Sequence, residues 1–286
     1  MANLKEIRNR ITSIGSTMQI TSAMKMVSAA KLKKAQDAIT QMRPYANKLT
    51  ELLESLSASL EGDVENVYAE QREVSKVLLV VITSNRGLCG GFNSSVIKET
   101  AKNIEENYNG KQVDLLTIGK KGNDILVKKH HVVENNNEIY DDLTFDNVAL
   151  IAEKIMQLFA DGNYDKIELV YNQFKNAATQ ITTVEQFLPI KLVDTASNVN
   201  ADYIFEPSKA AIVLQLIPKS LKTQLYKAIR DSFASEHGAR MTAMHKATDN
   251  ATDLRNDLLL TYNKARQAAI TNEILEIVGG AEALNN

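Results

Sequence analysis

Apolar and small residues recur three and four positions apart at both ends of the chain. Leu4, Ile7, Ile11, Ile14 and Met18 open the series, and Leu32, Ala35, Ile39, Met42, Ala46, Leu49, Leu53, Leu56 and Leu60 continue it. A heptad sustained this long predicts one helix over 1–60 carrying a left-handed coiled-coil seam. Between the two stretches the seam positions are Thr21, Lys25 and Ser28, while Ile20, Met24 and Val27 form a second stripe. The pattern thus predicts that the helix changes its apolar face there, as a helix shared by two partners would. Residues 207–286 read the same way. Pro207 can open a helix at its first turn, and Met244, Ala247, Ala251, Leu254, Leu258, Thr261, Ala265, Ala268 and Leu275 keep a heptad, with Asn272 its polar break. Pro218 and Gly238 weaken the earlier part and predict a kink or local break near Pro218. At about 1.5 Å per residue, each terminal helix extends about 80 to 110 Å, longer than a compact domain of this mass. Two such seams are expected to pair with each other.

The middle of the chain has a different period. Residues 76–83 form a short apolar, β-branched run typical of a parallel strand buried on both faces. A helix is expected over 92–108, a strand over 113–118, helices over 121–129 and 146–160, and strands over 166–171 and 179–188. This alternation implies a Rossmann-like α/β domain over 74–195. The polar flanks, 61–73 and 195–206, read as linkers. The predicted fold is therefore α/β with long helices: an antiparallel coiled coil of the two termini with an α/β domain inserted between its halves.

Composition sharpens the picture. The chain has 286 residues, 44% hydrophobic and 24% charged, with no Trp and 6% aromatics, a mix that favours long helices. One cysteine, Cys89, excludes an intrachain disulfide and any CxxC metal or redox motif, and suits a reducing compartment. The longest apolar runs, 77–82 and 210–214, fall far short of the roughly 20 residues of a membrane helix. The N-terminus has no apolar signal core, so a cytosolic chain is expected. Residues 1–48 carry nine basic and two acidic side chains, a net +7, which leaves −9 on the rest of a chain of net charge −2. That asymmetry predicts an acidic partner for the N-terminal segment.

No catalytic constellation emerges. Residues 83–92, Thr-Ser-Asn-Arg-Gly-Leu-Cys-Gly-Gly-Phe, follow a strand and precede a helix, where a phosphate loop would lie. Their glycines fit neither GxGxxG nor a Walker loop, and Gly119-Lys-Lys-Gly122 fails the same tests. Both read as structural turns with close backbone packing. Cys89 reads as a small, partly buried thiol rather than a nucleophile. His130 and His131 are adjacent and would point apart on a helix, and His237 and His245 lie too far apart to share an ion. Glu273 and Glu276 share a helix face but have no pocket, so a solvated face or partner contact is expected. The basic segment lacks aromatic interleaving and any recognised DNA-binding motif. No cofactor, metal or nucleic acid is expected.

Four blocks carry a resemblance. Residues 270–283, Ile-Thr-Asn-Glu-Ile-Leu-Glu-Ile-Val-Gly-Gly-Ala-Glu-Ala, match the signature I-T-x-E-x-x-E-x-x-x-G-A-x-A of the gamma subunits of rotary F-type ATP synthases. Residues 7–14 and 19–27 resemble that family's opening helix, 235–250 a further block, and 84–91 another, so the match spans the chain. The departures are Asn85, where the family usually has Asp, and His237-Gly238, which replace residues more often apolar or small. The resemblance implies a noncatalytic central-stalk rotor. The paired terminal helices turn inside a ring of alpha and beta subunits, the α/β domain meets the epsilon subunit and the membrane ring of c subunits, and the beta subunits do the chemistry. The rotor couples proton flow to ATP synthesis and hydrolysis and regulates both. The missing plastid cysteine insertion points to a bacterial complex on the cytoplasmic face of the membrane. Arg266 and Gln267 match the family's catch against beta-subunit loops. Tyr203 and Glu206 are expected at the c-ring and epsilon foot. Met24, Lys25, Lys31, Lys33 and Lys34 are expected to face the stator, on the second stripe and the +7 charge. The alternative is a coiled-coil scaffold or adaptor, which would dimerise between chains, and behind it an α/β nucleotide-binding enzyme with a stalk.

Overall fold

The computed structural model describes residues 4–57, 67–190 and 209–284. In chain order the elements are α1 (Leu4–Ser57), β1 (Lys76–Ile82), α2 (Phe92–Asn107), β2 (Gln112–Ile118), α3 (Lys120–Leu126), β3 (His131–Asn135), α4 (Phe145–Ala160), β4 (Lys166–Phe174), β5 (Gln180–Leu188) and α5 (Lys209–Leu284). The fold class is the expected one. Tyr203, Glu206 and Pro207 lie outside the described residues, as do Leu60 and the side chains of Leu53 and Leu56. The chain forms two compact units, one of Ala29–Arg240 and one of Met1–Ser28 with Met241–Asn286.

The first unit is built on a five-stranded sheet of order β3-β2-β1-β4-β5. The first four strands are parallel and β5 returns antiparallel to β4. The run Val77–Ile82 sits at the centre with every residue fully buried, because helices cover both faces. Alternate residues divide between two cores. Leu78, Val80 and Ile82 join Leu116, Leu169 and Tyr171 against Val148, Ile155 and Phe159 of α4. Val77, Leu79 and Val81 join Leu115 and Val170 against Val96 of α2 and Leu126 of α3.

Three sequence-based expectations change here. The strand β3 was not anticipated: it is five residues long, half exposed and interrupted by a register shift where it pairs with β2. The helix expected over 121–129 ends at Leu126. Third, α5 is a layer of the α/β core as well as a coil helix, since Ile217, Leu221, Leu225, Ala228 and Ile229 belong to the α4-side cluster. That burial holds the helix together through Pro218, so the break expected there does not occur and α5 is helical from end to end.

The second unit is an antiparallel helix pair. Arg8 donates to the Tyr262 hydroxyl at 2.6 Å, Thr252 to the Met18 sulfur at 3.3 Å, Thr21 and Thr248 share a hydrogen bond of 2.8 Å, and Lys25 Nζ lies 3.4 Å from His245 Nδ1. The residue numbers of each pair add to 269 or 270, so one register holds throughout. The predicted change of face in α1 does not happen. Thr21 and Ser28 are buried and Lys25 half-buried, whereas Ile20 and Val27 are 60% and 58% exposed. The seam runs straight through polar residues because polar residues of α5 face them. On α5 from Met244 onward the covered positions are Met244, Ala247, Thr248, Ala251, Arg255, Leu258, Leu259, Tyr262, Ala265 and Ala269. The expected Leu254, Thr261, Ala268 and Leu275 are exposed, three of them one residue out of step with the covered face.

Candidate functional site

In a sheet of this order, ligands bind outside the carboxyl ends of the strands, where the order turns between β1 and β4. The loop after β1 runs through that position. Ser84 N–H donates to Asn93 Oδ1 (3.0 Å), Ser84 Oγ to Arg86 O (2.7 Å), and Asn93 Nδ2 back to Ser84 Oγ (2.9 Å). Asn85 bridges two neighbouring turns, donating to Asn137 O at 2.8 Å and accepting from Lys120 N–H at 3.0 Å. Leu88 has φ 60°, a left-handed conformation that costs a non-glycine residue on the order of 1–3 kcal/mol. The turn after β2 is equally fixed. A Cβ on Gly119 would lie 2.2 Å from Thr83 O, and one on Gly122 2.7 Å from Thr83 Oγ1. The Gly122 amide, which a phosphate would need, already donates to Thr83 Oγ1 at 2.9 Å. These glycines serve close packing.

The crevice itself is filled by α5. Arg240 Nη2 donates to Arg86 O at 3.0 Å and Gly87 O at 3.3 Å, and its Nη1 lies 2.6 Å from Glu236 Oε1. Ala239 packs with Cys89 and Phe92. On the β4 side Gly238 meets the β4–β5 turn, where an added Cβ would stand 3.1 Å from Ala177 O. Burial raises the Glu236 pKa against the opposing pull of Arg240, Lys31 and Arg86. It lowers that of His237 to about 3, with Arg240 and Lys31 adding to the effect, so the imidazole is neutral at physiological pH. The Cys89 thiol is pushed up, first by burial, and is a poor nucleophile. The Arg240 guanidinium thus lies against the loop that follows β1, where a phosphate loop would be looked for. No group of His, Cys, Asp and Glu that could hold a metal ion occurs among the described residues.

This filling was missed in the sequence. Its one local signal is Glu236 and Arg240, four apart on a helix and flanked by Ser235, Gly238 and Ala239. A charged pair among residues that small marks a helix face against which backbone packs closely. The contact itself spans about 150 positions and leaves no periodic trace.

The residues expected to meet partners lie elsewhere. Arg266 and Gln267 are exposed on α5, level with Leu4 in the seam register. Beyond them residues 270–281 are all exposed, with Ile277 at 71%, because no described α1 residue lies opposite. Glu273 and Glu276 belong to this uncovered stretch. Lys31, Lys33 and Lys34 are exposed and Met24 is half-buried. Lys25 differs from the others, being turned to His245 across the seam.

The sequence model of the ATP synthase family matches residues 3–284. The ATP synthase gamma chain of Flavobacterium johnsoniae is 75% identical over 286 residues, all of both chains, and that of a Geobacter species 46% identical over 287, covering 99% of each. The chain belongs to the ATP synthase gamma family. Among solved structures, the central stalk and c-ring of the Tetrahymena thermophila mitochondrial ATP synthase matches with TM-score 0.60 and 28% identity, over 80% of this chain and 99% of that one. A Euglena gracilis mitochondrial ATP synthase chain matches with TM-score 0.72 and 23% identity, over 98% and 94%, and shares the fold. A gamma chain is the central-stalk rotor subunit of the synthase, and that is this chain's function; the scaffold alternative is not favoured. The gamma chain works as part of a membrane-associated complex, although no helix among its described residues is long and apolar enough to cross a membrane.

Proposed function

We propose that this gamma chain is the noncatalytic axle of a bacterial synthase, carrying torque between the c-subunit ring and the alpha and beta subunits. The observation that supports the noncatalytic reading is that Arg240 of α5 occupies the carbonyls of the loop after β1, at the end of the sheet where such folds bind a nucleotide. The uncovered end of α5, with Ile270, Ile274, Leu275 and Ile277 exposed, is the part that enters the alpha–beta ring. Arg266 and Gln267 at its base form the catch against beta-subunit loops. Arg266 suits that role because a guanidinium bonds a carboxylate through two parallel donors, which an ammonium does not copy. Met24, Lys31, Lys33 and Lys34 face the stator, Lys25 serving the seam as well. Tyr203 and Glu206 grip the c ring and epsilon subunit, and the complex sits on the cytoplasmic face of the membrane.

The beta subunits respond only to differential contact with the axle. A tenfold change in nucleotide affinity needs about 1.4 kcal/mol, within reach of a few side chains. The test is proton-driven ATP synthesis in reconstituted vesicles. A chain whose paired helices are cut back between the two contact regions should support residual ATP hydrolysis and no synthesis. Arg266→Lys should assemble normally and turn over more slowly. Full-rate synthesis by the shortened chain would sink the proposal.

A further inference from the structure

One turn of α5, residues 236–240, is gripped from two sides by rigid backbone. On one side stands the loop after β1, braced by Ser84, Asn85 and Asn93, with the carbonyls of Arg86 and Gly87 on Arg240. On the other stands the β4–β5 turn. Asn176 Oδ1 fixes that turn by accepting from the amides of Ala178 at 3.0 Å and Thr179 at 2.7 Å. The backbone atoms of Ala177 approach so closely that a Cβ on Gly238 would meet O at 3.1 Å and Cα at 3.2 Å. Elsewhere α5 meets the domain through an aliphatic stripe, Ile217, Leu221, Leu225 and Ile229 in the core cluster. It also meets it through long side chains, Lys222 on Glu153, Gln224 on Glu185 and Gln186 O, and Arg230 on Leu143 O, whose reach lets them follow a small rotation. Apolar packing opposes separation but is non-directional, so it resists turning of a helix about its own axis weakly. Backbone against backbone at Gly238 has no such freedom. The side chain that most helices would carry at this position is missing at the one point where the turn needs the space.

We propose that Gly238 and the Ala177 turn form a key that fixes the rotational setting of α5 against the α/β domain, so that torque crosses from the domain into the shaft at this turn. The proposal rests on the rotor reading. It differs from a stability role in sign, because helix propensity alone favours Ala over Gly at position 238.

The test uses the full complex in vesicles, with ATP hydrolysis and proton-driven synthesis measured on the same preparation. Gly238→Ala and Gly238→Val should keep hydrolysis within about twofold of wild type while synthesis falls, modestly for Ala and by about fivefold or more for Val. Asn176→Ala loosens the turn without touching α5 and should lower the ratio of synthesis to hydrolysis in the same direction; it keeps the test alive if Gly238→Val fails to assemble. Unchanged synthesis in Gly238→Val, or synthesis and hydrolysis falling in proportion in these variants, overturns the key. Failure of the rotor reading looks different: the wild-type chain itself would then support no synthesis.

Discussion

His237 is a buried base in a basic neighbourhood. Its ring contacts Phe233 edge-on, its Nδ1 lies 3.4 Å from Arg240, and its Nε2 is buried without a hydrogen-bond partner among the described residues. The unfolded imidazole takes up a proton near its ordinary pKa of about 6.5, whereas the folded one resists until about 3. Its contribution to stability is therefore complete above pH 6.5 or so and is lost as pH falls toward 3. Glu236, whose pKa is raised, acts in the opposite sense: the folded state holds its proton more tightly, so acid favours the fold through this group. His237→Gln should reduce the stability lost between pH 7 and pH 5 by about 2 kcal/mol, read from urea unfolding at the two pH values. An identical loss in both proteins would show that the imidazole is not held neutral. Asn85 makes a second case at this scale. It needs a donor for Asn137 O and an acceptor for Lys120 N–H, and only an amide supplies both. Asn85→Asp should cost about 1–3 kcal/mol in unfolding free energy, because the Asn137 carbonyl loses its donor and meets a carboxylate. Equal stability would mean that the two turns do not depend on this bridge.

At the level of elements, the decisive property of α1 and α5 is that their seam closes within one chain. Cysteines at Thr21 and Thr248, whose hydroxyls are 2.8 Å apart, introduced with Cys89→Ser, should form an intrachain disulfide that survives dilution. Dimers crosslinked between chains would instead favour the scaffold. What the sequence disclosed about these elements was uneven, for physical reasons. The strand β1 was plain because burial on both faces permits only apolar residues. The strand β3 was hidden, since a short, half-exposed edge has no such constraint. The double role of α5 was hidden for another reason. A coil seam and a core-facing stripe share the same three-and-four spacing, so periodicity cannot say whether Leu221 faces a helix or a sheet. The polar stretch at Thr21, Lys25 and Ser28 was misread as an interruption because a sequence shows one side of a seam at a time. The pairing of Thr21 with Thr248 and Lys25 with His245 is what makes it continuous.

For the molecule as a whole, charge is distributed as unevenly as shape-giving residues are. The +7 of residues 1–48 lies largely on exposed side chains, including Lys31, Lys33 and Lys34. Exposed ion pairs contribute at most about 1 kcal/mol each and are screened within roughly 10 Å at 0.1 M salt. Neutralising Lys33 and Lys34 to Gln should leave the complex assembled while making coupling less sensitive to ionic strength, measured as the ratio of synthesis to hydrolysis across a salt series. Lys31 is a less clean choice, since it also acts on Glu236 and His237. Assembly lost at the first substitution would place these side chains in a buried contact instead. Family membership and the blocks near both ends were legible from residue identities alone. The filled crevice was not, because it joins residues that meet only after folding.

The antiparallel register also dictates an order of events during synthesis. Lys25 and His245 are 220 positions apart, and Arg8 and Tyr262 are 254 apart. At about 5–20 residues per second, the ribosome emits the second helix roughly 10 to 50 seconds after the first. Through that interval the α1 seam has no mate, and closing so long a loop early would cost entropy that no contact yet repays. The polar seam residues Thr21, Lys25 and Ser28 keep the first segment tolerable to water during the wait. Leu32, Ala35, Ile39, Ala46 and Leu49, buried in the folded protein, stand open to water until the later segments arrive.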